Sequence, residues 1–141
     1  MPAWCEIELD RRTIPGETAE QVAGELRAVA ERVTARDPRV RAELLATSFE
    51  AACEVDPAAP VVLAAGAALG DLGLDAATLG MPGATDARIL IHEAGVPAVV
   101  LGPGDLALAH STAERIPLAD LVTAARVYAR LYARFLAPTR A

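Results

Sequence analysis

Hydrophobic and polar residues alternate near the start of the chain: in WCEIELDRR (residues 4–12), Trp4, Glu6, Glu8 and Asp10 fall on one side and Cys5, Ile7 and Leu9 on the other. A period of two predicts a half-buried strand. Pro15 and Gly16 break it, and Thr18 with Gln21 has the spacing of a capping box, which opens a helix by satisfying free amides at its first turn. Ala19, Val22, Ala23, Leu26, Val29, Ala30 and Val33 then recur at helical spacing on one stripe. Asp37 and Pro38 close that helix, and residues 40–49 read as a second strand. The order is β-α-β, too little chain to bury a comfortable core alone, so it is expected to continue a sheet begun elsewhere.

From Asp56 the pattern changes. Asp56 and Pro57 suit the N-cap and first position of an Ala-rich helix running to Leu69, with Gly70 and Gly73 marking its end. A short strand is expected at residues 79–83, a helix at 85–94 stopped by Gly95, and an apolar strand at 97–101 of the kind buried in parallel sheets. Loop residues return at Gly102, Pro103 and Gly104. The last helix, residues 118–136, carries Leu118, Leu121, Val122, Ala125, Tyr128, Leu131, Tyr132 and Phe135 on its apolar stripe. Helices alternating with apolar strands predict an α/β layer, preceded by a separate β-α-β piece. The boundary is expected between Glu50 and Pro57, giving parts at 1–51 and 52–141.

Composition narrows what such a chain does. With 141 residues, 53% of them hydrophobic and 23% charged, it lies in the range of ordinary soluble domains. A net charge of -6 with no Lys/Arg cluster argues against nucleic acid as a partner. The longest uncharged run, residues 57–70, has 14 residues, short of the ~20 that a bilayer requires, so no membrane span is expected. Glu6, Glu8 and Asp10 interrupt any signal-like apolar stretch, which points to the cytoplasm. Cys5 and Cys53 are expected to be buried free thiols.

The chemistry is expected beyond the carboxyl ends of the strands, where α/β sheets gather ligands. GPGDLALAHSTAE (residues 102–114) leaves such an end, and it contains His110. A neutral imidazole on a loop suits zinc, and Glu114 is near enough in sequence to orient it. By itself this placement fits an ordinary surface histidine better than a ligand. His92, at the end of the 85–94 helix, reads as structural, placed where a cation meets the helix dipole.

Three stretches sharpen the reading. IELDRRTIPGET (residues 7–18), GATDARIL (83–90) and GVPAVVLGPGDLALAHSTAERIPLADL (95–121) resemble, in order and separation, signatures of the M20 metallopeptidases and amidohydrolases, the family of acetylornithine deacetylase, succinyl-diaminopimelate desuccinylase, aminoacylase and carboxypeptidase G. The resemblance spans residues 4–136. It implies a zinc-exopeptidase-like α/β catalytic domain, represented here by its C-terminal part (52–141). It also implies a piece of a ferredoxin-like lid and dimerisation domain (1–51), and a homodimer.

By that resemblance His110 is a metal ligand of a dinuclear zinc site, which cobalt or another divalent ion can also fill, and Glu114 belongs to the same loop. Arg12 binds the carboxylate of an N-acyl amino acid or small peptide, a role that suits a planar guanidinium fork. Its neighbour Arg11 has the same chemistry. Thr85, Asp86 and Arg88 lie near the substrate, although Thr85 also suits a helix N-cap and Asp86 a first-turn acid.

The family's catalytic groups are another matter. The chain has no Glu-Glu pair and no His-x-Asp motif, so no catalytic residue is assigned. The resemblance therefore implies an incomplete C-terminal portion of a zinc-dependent amide hydrolase, inactive alone. The alternative is a non-catalytic interaction module that pairs with a separate N-terminal polypeptide or with itself through open strand edges.

Overall fold

The computed structural model describes residues 4–45 and 48–136. The chain forms two compact units, Met1–Glu54 and Val55–Ala141. The first contains one helix, α1 (Ala19–Arg36), which opens with the capping box that its sequence predicts. The Gln21 amide donates to Thr18 Oγ1 at 3.3 Å, and the Thr18 amide donates to Gln21 Oε1 at 2.9 Å. The helix stops where Asp37 turns extended, its N–H still bonded to the Val33 carbonyl.

The two strands expected around α1 are not seen. Residues 4–12 and the described part of 40–49 join no ladder; Ala46 and Thr47, within the second expected strand, lie outside the described residues. Ile7 and Leu9, meant for the buried side, are 75% and 64% exposed. Alternation records a preference for a pleated, half-buried surface, but a strand exists only when a neighbour takes its backbone hydrogen bonds. Here no such neighbour is present among the described residues. The same reason corrects Cys5: it is exposed and Cys53 is half-buried, both as free thiols.

The second unit is built on α2 (Pro60–Gly70) and α4 (Leu118–Phe135), with α3 (Ala87–His92) and a 3-10 turn (Leu106–Leu108) between them. Helix α2 begins later than Asp56 and Pro57 suggest. The Asp56 carboxylate instead accepts the Ala58 amide at 2.8 Å and closes a turn, and Pro60 takes the first helical position, where a missing N–H costs nothing.

Helices α2 and α4 pack on each other through small side chains: Ala65 and Ala68 are buried on α2 and Val127 on α4, with Ala59 at the start of α2. Alanines allow close axial approach, and an Arg134–Asp71 ion pair ties the C-terminal turn of α4 to the end of α2. Helix α3 is shorter than predicted, six residues, with Gly95 at φ 64 soon after it. The expected strands at 79–83 and 97–101 form no ladder, and Leu79 is 90% exposed. The regular structure of the described residues is thus helical, and the predicted α/β sheet and β-α-β lid piece are not seen among them.

Candidate functional site

In the second unit the segment 97–101 is fixed to α4 by the Tyr128 hydroxyl, which donates to the Leu101 carbonyl at 2.9 Å. The backbone then turns at Gly104. Its φ of 97 belongs to the left-handed region, which favours glycine, and a Cβ there would make a tight 3.2 Å contact with the Ile116 side chain. Asp105 caps the 3-10 turn by accepting the Ala107 amide at 2.9 Å. Ala109 continues it with an amide bond to the Leu106 carbonyl.

His110 comes next, at φ 61, the only non-glycine left-handed residue among those described. That conformation costs an L-residue about 1–2 kcal/mol, so something must hold it. The Glu114 carboxylate does: its Oε2 accepts the His110 backbone N–H at 2.8 Å, a charge-assisted bond. Ser111 completes the loop. Its hydroxyl donates to the Leu108 carbonyl at 2.7 Å and accepts the Ala113 amide at 3.2 Å, while the Glu114 amide bonds the Ser111 carbonyl. Residues 105–114 thus bond most of their amides within the loop and leave the His110 side chain exposed. Its ring nitrogens have no hydrogen-bond partner among the described residues. Glu114 grips the main chain of His110 rather than the ring that the sequence suggests it would orient.

An unengaged imidazole of this kind fits one position of a metal site. Among the described residues, however, no three His, Cys, Asp or Glu side chains converge on a point that could hold an ion.

Thr85, Asp86 and Arg88 stand together at the start of α3. Asp86, not Thr85, occupies the N-cap, with helical backbone angles and no side-chain cap bond, and the Thr85 carbonyl accepts the Arg88 amide at 3.3 Å. Thr85 and Arg88 are half-buried and Asp86 is exposed. His92 lies in the last turn of the same helix, exposed.

In the first unit, Arg11 and Arg12 have unlike surroundings. Arg12 Nη2 meets Asp10 Oδ2 at 2.9 Å, with 65% and 72% of the two side chains exposed. Arg11 is gripped by Glu17: Nη1 and Nη2 each lie 2.6 Å from a separate carboxylate oxygen, and Glu25 of α1 adds a longer contact of 3.4 Å. Glu17 Oε2 also accepts the Ile14 amide at 2.9 Å. The Arg11 guanidinium and this amide hold the Glu17 carboxyl down at about 2, from an ordinary 4.5. Sequence reasoning missed Glu17. Its only signal is an acid six positions after an arginine, across a Pro-Gly turn.

With this geometry in view, the comparisons with known proteins identify the chain. It belongs to peptidase family M20/M25/M40, whose sequence profile it matches over residues 6–134. Over 135 residues it is 30% identical to acetylornithine deacetylase of Myxococcus xanthus, which covers 96% of this chain and 34% of that protein. It is also 28% identical over 130 residues to N-formyl-4-amino-5-aminomethyl-2-methylpyrimidine deformylase of Bacillus subtilis (strain 168), covering 84% of this chain and 30% of that one. The chain thus spans about a third of the length of these curated relatives. No solved structure matches it. Among the described residues no helix is long and apolar enough to cross a membrane.

Proposed function

We propose that this chain is part of an amidohydrolase that cleaves the amide bond of N-acyl amino acids or small peptides. The observation that carries the reading is the 105–114 loop, which lies inside the family match and holds an unengaged His110 imidazole outward from a left-handed backbone. Both relatives are named for removing a small acyl group, which supports an acylated amine as substrate class.

In this reading His110 is one ligand for a divalent metal, zinc or cobalt, and Glu114 fixes the backbone from which that ligand projects. The metal, when bound, supplies a Lewis acid that polarises the amide carbonyl. Arg12 receives the substrate carboxylate through its guanidinium fork. Thr85, Asp86 and Arg88 lie close to the substrate at the start of α3. Residues 1–51 belong to a ferredoxin-like lid and dimerisation domain and 52–141 to an α/β catalytic domain. Their strands pair with the rest of a cytoplasmic, homodimeric enzyme that binds neither nucleic acid nor membrane. In this reading the 141 residues are inactive alone, because they contain no Glu-Glu pair and no His-x-Asp motif. The purified chain, given zinc and an N-acetyl amino acid, is expected to release no acetate above a zinc blank. Turnover would overturn that claim.

A second reading, a non-catalytic module that pairs with a separate polypeptide or with itself, is favoured by the exposure of Ile7, Leu9, Leu79 and Leu118. Light scattering coupled to metal analysis separates the two: a stable, zinc-free oligomer of the chain sides with the module.

A further inference from the structure

Two adjacent arginines with identical chemistry raise the question of what decides which one meets a ligand. We infer that Glu17 is a positioning residue: it takes Arg11 out of competition and leaves Arg12 as the guanidinium that receives a carboxylate. The inference rests on the carboxylate-binding role proposed above for Arg12.

The contacts of the two side chains differ in kind. Both Glu17 oxygens are used on Arg11, one per terminal nitrogen, at 2.6 Å, and this paired fork is the strongest geometry open to a guanidinium. Arg11 Nη1 also donates to the Arg12 carbonyl at 3.1 Å, and Glu25 approaches from α1, so the terminal nitrogens of Arg11 are occupied. Glu17 is itself fixed by the Ile14 amide across the Pro15–Gly16 turn, where Gly16 adopts φ 92. Arg12 has one contact, through one nitrogen, to an Asp10 that is 72% exposed. Exposed single-contact pairs contribute little and exchange readily. An incoming carboxylate displaces Asp10 from Arg12 far more easily than it displaces Glu17 from Arg11. With its carboxyl held near 2, Glu17 stays ionised across the working range of pH and keeps the charge that pairs with Arg11.

The test is an NMR titration of the arginine Nε–Hε resonances of the labelled chain with N-acetylglycine, using N-acetylglycinamide as the control without a carboxylate. The Arg12 resonance is expected to move and that of Arg11 to stay. In Glu17→Gln both should move, with Arg11 shifting at least half as far as Arg12, and the amide should move neither. Arg11→Gln, which leaves Glu17 in place, should keep the response of Arg12. A shift of Arg11 in the unaltered chain, a silent Arg11 in Glu17→Gln, or loss of the Arg12 response in Arg11→Gln would each overturn the inference. Silence of both arginines in every variant would instead overturn the carboxylate role of Arg12. Capture is also read without any ligand. If the Nη protons of Arg11 average as fast as those of Arg12, Glu17 does not hold it and the inference fails, whatever Arg12 does.

Discussion

The contacts described within the two units of this chain differ in kind. In Val55–Ala141 the described buried residues, Ala59, Ala65, Ala68 and Val127, are apolar and lie on or beside the paired helices α2 and α4. In Met1–Glu54 no described residue is buried, and α1 is joined to its surroundings by polar links: Arg11 to Glu17 and Glu25, and Asp37 to Arg39, while Thr13 donates to the Glu50 carbonyl. Apolar burial offers no charge to screen or titrate, whereas exposed ion pairs respond to both ionic strength and pH. The candidate metal loop is anchored on the unit with the buried apolar contact, through Tyr128, and the candidate carboxylate receptor lies on the unit without a buried residue among those described.

That contrast can be broken most severely at Val127, which is 3% exposed. Val127→Asp places an uncompensated carboxylate against α2 and should destabilise the second unit by about 3 kcal/mol or more. Denaturant unfolding and amide exchange of α2 and α4 would show it, with the α1 amides little changed. A Val127→Asp chain as stable as the original would remove the apolar contact from the account.

Thr18→Ala removes the capping box of α1 and should cost about 1 kcal/mol, seen as faster exchange in the first turn of that helix and no change in α4. Tyr128→Phe, which deletes the bond to the Leu101 carbonyl while keeping the ring, should cost about 1 kcal/mol or a little less. Its signature is faster exchange and shifted resonances through residues 101–110; a silent loop would mean that α4 does not fix it.

The smallest effect is a matter of pH. Glu17 titrates at about 2 in the folded chain against an ordinary 4.5, so its link to Arg11 contributes fully above 4.5 and is lost as the pH falls through about 2. Carboxyl-carbon NMR should place the Glu17 midpoint well below those of unpaired glutamates. A midpoint near 4.5 would mean that the fork to Arg11 does not persist in solution.

How much of this was legible in the sequence follows from how local each signal is. Helix α1 was read to within a few residues because Thr18, Gln21 and Asp37 write its ends into the chain. Helix α4 was read because its apolar stripe is long. The start of α2 was misplaced because Pro57 and Pro60 both suit a first helical position, and the Asp56 turn decides between them. The strands are not seen among the described residues: a period of two states a preference, while the partner that realises it is not encoded locally. His110 and its loop stood out from the resemblance. The left-handed backbone of His110 and the grip of Glu114 on its amide could not be read from residue types. Glu17 was missed because nothing in the spacing of an acid and an arginine around a Pro-Gly turn distinguishes a two-point fork from two solvated charges.

The central claim, that His110 is a metal ligand of an amidohydrolase site completed by other residues, is tested most directly by a graft. This chain would replace the matching third of the Myxococcus xanthus acetylornithine deacetylase, and bound metal would be counted in the purified chimera with His110 intact and with His110→Ala. The account predicts that the chimera retains zinc and that His110→Ala lowers its content by at least half, with His92→Ala harmless. Equal zinc in the chimera before and after the His110→Ala substitution would contradict it.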